Sequence, residues 1–180
     1  QYTDFSMGRK RSLYSESEFK MFNPSTEYDY ERTAVYVIPS IGGLFVLARL
    51  ARVGDRWHLT DVCRRGVKGN EEIEQAVMSL PADQYMVECP PAYFQMVRNL
   101  RSSLGNVSVL RMGADVRTRI MATSDWVRSH VRINPDMLEE AEYGQFINDV
   151  LDYSDTSSDD TVGASAALSG LARIIVRNGL

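Results

Sequence analysis

Two adjacent carboxylates, Asp159-Asp160, stand where a polar stretch running from Ser154 meets the apolar run Thr161-Val162-Gly163-Ala164-Ser165-Ala166-Ala167-Leu168. Acids at the start of a helix packed on a sheet can hold a divalent cation, provided that other carboxylates converge on the same point. Taken alone, the pair is an ordinary helix-start signal, because carboxylates there satisfy free N–H groups and the macrodipole. The choice rests on partners. Glu88 is the first of them: it closes the apolar run Gln84-Tyr85-Met86-Val87-Glu88, just before Cys89-Pro90-Pro91. With Asp159 and Asp160 it would make a three-acid cluster able to bridge two Mg2+ or Mn2+ ions roughly 4 Å apart.

Charge is distributed in a way that suits such a site. The chain of 180 residues has a net charge of −4, which argues against broad nonspecific binding of nucleic acid. From Asp136 to Asp160, however, there are nine acids and no Lys or Arg, while Arg111, Arg117, Arg119, Arg128 and Arg132 precede that stretch. An acidic pocket beside a basic flank fits a metal-dependent enzyme acting on a phosphodiester, and equally an amphipathic solvated surface.

The elements that must position these residues follow from local pattern. Residues 1–18 are polar, with a basic cluster at Arg9-Lys10-Arg11, and read as a linker or N-terminal arm. One domain is expected over 19–180. Phe19 to Phe22 predicts a short strand ending at the turn Asn23-Pro24-Ser25. Thr33 to Ile38, Leu44 to Val53 and Trp57 to Cys63 predict an antiparallel meander, with Gly54-Asp55-Arg56 as its second turn. Helix then alternates with strand: a helix from Asn70, stopped by Pro81; a strand ending at Glu88; a helix from Tyr93 to Leu100; and a strand from Val107 to Leu110. Three helices close the chain, Val116 to His130, Met137 to Val150 and Thr161 to Val176, with Val131-Arg132-Ile133 after the first. This order is that of an α/β, RNase H-like mixed sheet: three antiparallel strands, then crossover-connected strands, flanked by helices.

On these residues the chain resembles the C-terminal nuclease domain of a tailed-phage large terminase. Members show a strand ending in Asp-Pro-Ser or Asp-Pro-Ala, then a Gly-rich loop with a further Asp, and here Phe22-Asn23-Pro24-Ser25 with Asp29 stands in that place. A second acid ends a later strand, as Val87-Glu88 does; a basic helix follows, as in Asp115-Val116-Arg117-Thr118-Arg119-Ile120; an Asp-Asp pair opens the last helix. The resemblance implies a two-metal endonuclease that cuts concatemeric double-stranded viral DNA during genome packaging. Glu88, Asp159 and Asp160 would be metal ligands, Asn23 the fourth corner, Asp29 an auxiliary ligand, and Arg117 and Arg119 DNA contacts. Asn23 is a neutral departure from the family's first Asp, and predicts poor cutting or none. A second register, Val37-Ile38-Pro39-Ser40, fits less well because it leaves Ile38 at the acid position. The family's His before the acid pair is replaced by Ser158.

The same resemblance implies, as partners, DNA, the terminase ATPase domain, the portal and the small terminase subunit. It implies the cytoplasm of the infected bacterial host as location, transiently at the procapsid portal. Alternative readings are another RNase H-like nuclease, a resolvase or transposase core, or a catalytically silent docking domain of the packaging motor. No phosphate-binding loop of the form G-x-x-x-x-G-K-[ST] occurs, so no nucleotide is expected here. No apolar run is long enough to cross a bilayer, and the start at Gln1 reads as a piece cut from a longer polypeptide. Cys63 and Cys89 lack metal-ligand spacing, which points to a reducing compartment. His58, His130, Trp57 and Trp126 read as packing residues, and Tyr28 and Tyr30 as the better candidates for substrate contact.

Overall fold

In the computed structural model, which describes residues 12–111 and 115–180, the meander becomes the centre of a seven-stranded sheet. Strand β1 is Lys20–Met21, β2 Arg32–Ile41, β3 Leu44–Val53, β4 Arg56–Arg65, β5 Gln84–Glu88, β6 Val107–Leu110 and β7 Val131–Ile133. Their order across the sheet is β1-β7-β4-β3-β2-β5-β6; β2, β3 and β4 are antiparallel and every other pairing is parallel. The helices are α1 (Asn70–Met78), α2 (Phe94–Ser103), α3 (Val116–His130), α4 (Ala141–Asp152) and α5 (Asp159–Asn178). The mixed α/β architecture is the one expected from the element order.

Each face of the sheet carries its own core, as the period of two requires. Ala34, Tyr36 and Ile38 of β2 point into a cluster with Val46 and Leu50 of β3 and residues of α3, α4 and α5. Val35 and Val37 point the other way, against Ile73 and Val77 of α1 and Met96 and Leu100 of α2. Both faces of β2 are therefore covered, and its central residues are buried. Pro39 cannot donate to a ladder, and the β2–β3 register shifts between Ile38 and Ile41.

Helix α5 lies antiparallel along β2. Its first turn meets the β2–β3 turn, where a Cβ on Gly42 (φ +56°) would fall 2.5 Å from the backbone nitrogen of Asp160. Near its far end, Asn178 donates to the Gln84 side chain at the start of β5. A face of small residues allows the close approach: Gly163 sits against Ile41 and Val46, and Gly170 against the ring of Tyr36.

Two expectations are corrected. The arm of residues 1–18 has a packed end: Tyr14 is buried, the Leu13 amide donates to the Tyr153 carbonyl, and Arg128 holds both the Leu13 carbonyl and Glu18. The cluster Arg9-Lys10-Arg11 lies outside the described residues. The helix expected from Met137 is split into a 3-10 turn at Pro135–Met137 and α4, because Glu140 is extended. No helix among the described residues is long and apolar enough to cross a membrane.

Candidate functional site

Glu88 ends β5 because Cys89 and two prolines follow, and its side chain turns toward α5 rather than to solvent. It is 1% exposed. Tyr36 Oη donates to its Oε1 at 2.9 Å, and Arg119 Nη1 donates to the same oxygen at 3.2 Å. The guanidinium is anchored twice more, from Nε to Ser169 Oγ at 2.8 Å and from Nη2 to the Ala166 carbonyl at 3.0 Å. Its carbon lies 5.9 Å from the centre of the Tyr36 ring. Burial, reinforced by the charge of Glu88 and opposed by Arg119, pushes the Tyr36 phenol far above its usual range, so it stays a donor. Glu88 Oε2 is buried and has no partner among the described residues.

The acid pair occupies the first turn of α5, where carboxylates suit the free N–H groups. Both acids are exposed, and Ser158 Oγ donates to Asp160 Oδ1 at 2.5 Å. Nearby, Arg64 at the end of β4 donates through Nε to Asp149 Oδ2 at 2.5 Å, and its Nη2 lies 3.5 Å from the Asp160 carbonyl. Asp149 is buried and also accepts from Gln145. Burial raises its pKa, Gln145 and Arg64 pull it down, and the charge of Asp160 raises it further. Glu142 accepts from the Arg64 amide and from Arg65.

Glu88 and the acid pair point to the same end of the sheet but do not meet. Ala166, where Arg119 is anchored, lies six residues beyond Asp160, roughly 9 Å along the helix at 1.5 Å per residue. No group of three or more His, Cys, Asp or Glu side chains able to hold a metal ion occurs among the described residues. Hard divalent cations want several oxygen ligands, usually with carboxylates among them. Here the Glu88 carboxylate is met by a phenol and a guanidinium. These residues do not fit a two-metal centre.

The remaining expected residues lie elsewhere. Asn23 sits beyond β1, at the outer edge of the sheet; it is exposed, its Oδ1 accepts from the Ser25 amide, and Tyr28 Oη donates to its carbonyl. Asp29 is exposed in the same loop, before β2 starts, so the ten residues of β2, about 30 Å of strand, separate it from the turn that α5 covers. Neither is a corner of a site with Glu88. The Pro-Ser signature occurs twice, at Asn23-Pro24-Ser25 and Ile38-Pro39-Ser40, and β2, the strand beside β5, carries the second. The bonded β2–β5 rungs end at Val37 and Val87, so Ile38 comes next to Glu88 on the face that α5 covers. Of the two copies, Ile38-Pro39-Ser40 is the one that lies beside Glu88.

Both arginines expected on DNA are engaged within the fold. Arg119 is 9% exposed and bonded to Glu88, Ser169 and Ala166. Arg117 donates to the carbonyls of Ser154, Asp155 and Ser157 and clamps the loop leading into α5. Sequence reasoning passed over Tyr36, Arg64 and Asp149. For Arg64 and Asp149 the available signal was a charged residue at an inward position of an otherwise apolar pattern.

By sequence the chain matches no family model and no curated protein. Its architecture does have counterparts among solved structures. The large terminase of a thermophilic bacteriophage superposes with a TM-score of 0.68 at 11% identity, over 91% of this chain and 44% of that one, so the chain spans less than half of that protein. The human cytomegalovirus terminase nuclease domain, soaked with Mn, matches with a TM-score of 0.60 at 12% identity, covering 87% of this chain and 89% of the other. The P22 large terminase nuclease domain gives 0.61 at 13%, covering 91% and 92%. This chain has the terminase nuclease-like fold.

Proposed function

We propose that this chain is the nuclease-fold domain of a viral DNA-packaging terminase whose metal position is closed, so that it serves as a docking domain of the packaging motor rather than as its cutter. One observation carries this reading: Arg119 supplies to Glu88 the positive charge that a metal ion would bring, and the neighbouring strand brings the apolar Ile38, not an acid, beside it. A guanidinium does not lose its proton in a protein, and this one is held by two further bonds, so a cation reaching Glu88 would have to displace it. In this role the partners are duplex DNA, the terminase ATPase domain, the portal and the small terminase subunit, at the procapsid portal in the host cytoplasm.

A specific observation favours the second reading, a two-metal endonuclease. Glu88 Oε2 is buried without a partner among the described residues, and an acid pair opens α5 at the same end of the sheet. That reading requires Arg119 to swing away from Glu88 and the acids to regroup before Mg2+ or Mn2+ could be held there. Supercoiled plasmid incubated with Mn2+ separates the two. The docking reading expects no nicking and no rise in melting temperature on adding Mn2+. Nicking by the native chain that disappears in Glu88→Gln would overturn it.

A further inference from the structure

At the opposite end of the sheet from Glu88, the loop joining β1 to β2 folds back over the start of β4 and makes an aromatic cleft of about 520 Å3. His58 lies at its base, 2% exposed. Phe22 stacks on its ring at 4.0 Å with a 4° interplanar angle, Tyr28 meets it edge-on at 4.6 Å, and Tyr30 Oη bonds its Nδ1 at 3.0 Å. In the next strand, Arg132 is in register with His58 on one side and with Lys20 on the other.

Arg132 is the unusual member. It is 7% exposed, and its Nη1 donates to the carbonyls of Ser129 and Val131, yet no carboxylate among the described residues lies within ion-pair distance. Its Nε and Nη2 donate to no described residue, and it lines the cleft together with Arg56. Asp55 is the only acid among the described residues that line the rim; it is solvated and touches Arg56 at the limiting distance of 4.0 Å. Burial and the neighbouring Arg56 both disfavour the charge on Arg132, with Asp55 opposing them. A guanidinium buried without a counter-charge is costly, and an anion entering the cleft relieves that cost.

We propose that this cleft is a subsite for an unpaired nucleotide of a DNA strand, its phosphate held by Arg132 and Arg56 and its base packed on Tyr28 and Phe22. Cations beside aromatic faces are the combination that binds single-stranded nucleic acid without sequence preference. The aromatic wall excludes a bare anion as the preferred ligand, and the stacking excludes the interior of a duplex, whose bases are already paired. The inference rests on the proposed reading of this chain as part of a DNA-packaging motor. It is independent of whether the Glu88 end cuts.

Fluorescence anisotropy of a labelled short oligothymidylate with the whole chain tests it. Tyr28→Ala and Arg56→Gln, both at the rim of the cleft, are expected to weaken binding about five- to tenfold, and Arg56→Gln to lower the log–log salt slope by about one. Inorganic phosphate is expected to raise the melting temperature of the native chain and not that of Arg132→Gln. Unchanged oligothymidylate affinity in both rim variants would overturn the proposal, as would tighter binding of a polyglutamate peptide than of the oligonucleotide. The plasmid assay reads the other end of the sheet, so nicking there leaves this test standing, and failure here leaves the docking reading standing.

Discussion

Arg119 and Glu88 form an ion pair at 3.2 Å in which both side chains are buried, the one on α3 and the other at the end of β5. The pair ties α3 directly to β5, and the same guanidinium ties α3 to α5 through Ser169 and Ala166.

Removing one partner leaves the other charge buried. Arg119→Met should destabilise the domain by about 3–5 kcal/mol, and the double variant Arg119→Met, Glu88→Gln should recover most of that loss. Urea midpoints of the single and double variants check this, and equal loss in both would show that packing rather than charge holds the site.

Gly170 is where α5 crosses Tyr36. In an exposed helix interior, Gly→Ala gains up to about 1 kcal/mol, but here the added Cβ would run into the Tyr36 ring. Gly170→Ala is expected to cost about 1–3 kcal/mol net and to disturb the phenol-to-Glu88 bond. Thermal melting gives the sign, and a stabilised variant would contradict the packing described.

His58 supplies a pH dependence. Burial, with Arg132 and Arg56 adding to it, lowers its pKa from 6.5 to about 4. A depressed folded-state value means that the unfolded chain takes up the proton first, so the contribution is complete above pH 6.5 and is lost as pH falls toward 4. Its size is at most about 3 kcal/mol. His58→Phe keeps the stack on Phe22 and should flatten the stability profile across that window, measured as urea midpoints at several pH values.

Arg117 clamps the loop before α5 through three backbone carbonyls. Arg117→Met should cost about 1–3 kcal/mol and speed amide exchange in residues 154–160, while leaving DNA affinity unchanged. A fall in affinity with no change in exchange would restore Arg117 to a DNA-contacting role.

Most elements were legible because their signals are local. Asp115 caps α3, which runs over Val116–His130 as its pattern required, and Pro90 and Pro91 stop β5 after Glu88. The acid pair opens α5 as a helix-start signal should. Asn23 misled because its Pro-Ser signature is also local and is repeated at Pro39-Ser40; the residues around each copy do not say which strand will lie beside β5.

The sequence by itself therefore determined the elements, their order and the mixed α/β class, since periodicity, caps and Pro or Gly punctuation act over a few residues. Only the tertiary structure decided what surrounds Glu88. Its partners lie 52 residues back, at Tyr36, and 31 residues on, at Arg119, and local pattern says nothing about contacts at that range. Burial then makes the outcome matter: a carboxylate taken out of water needs a counter-charge, and in this chain a guanidinium supplies it.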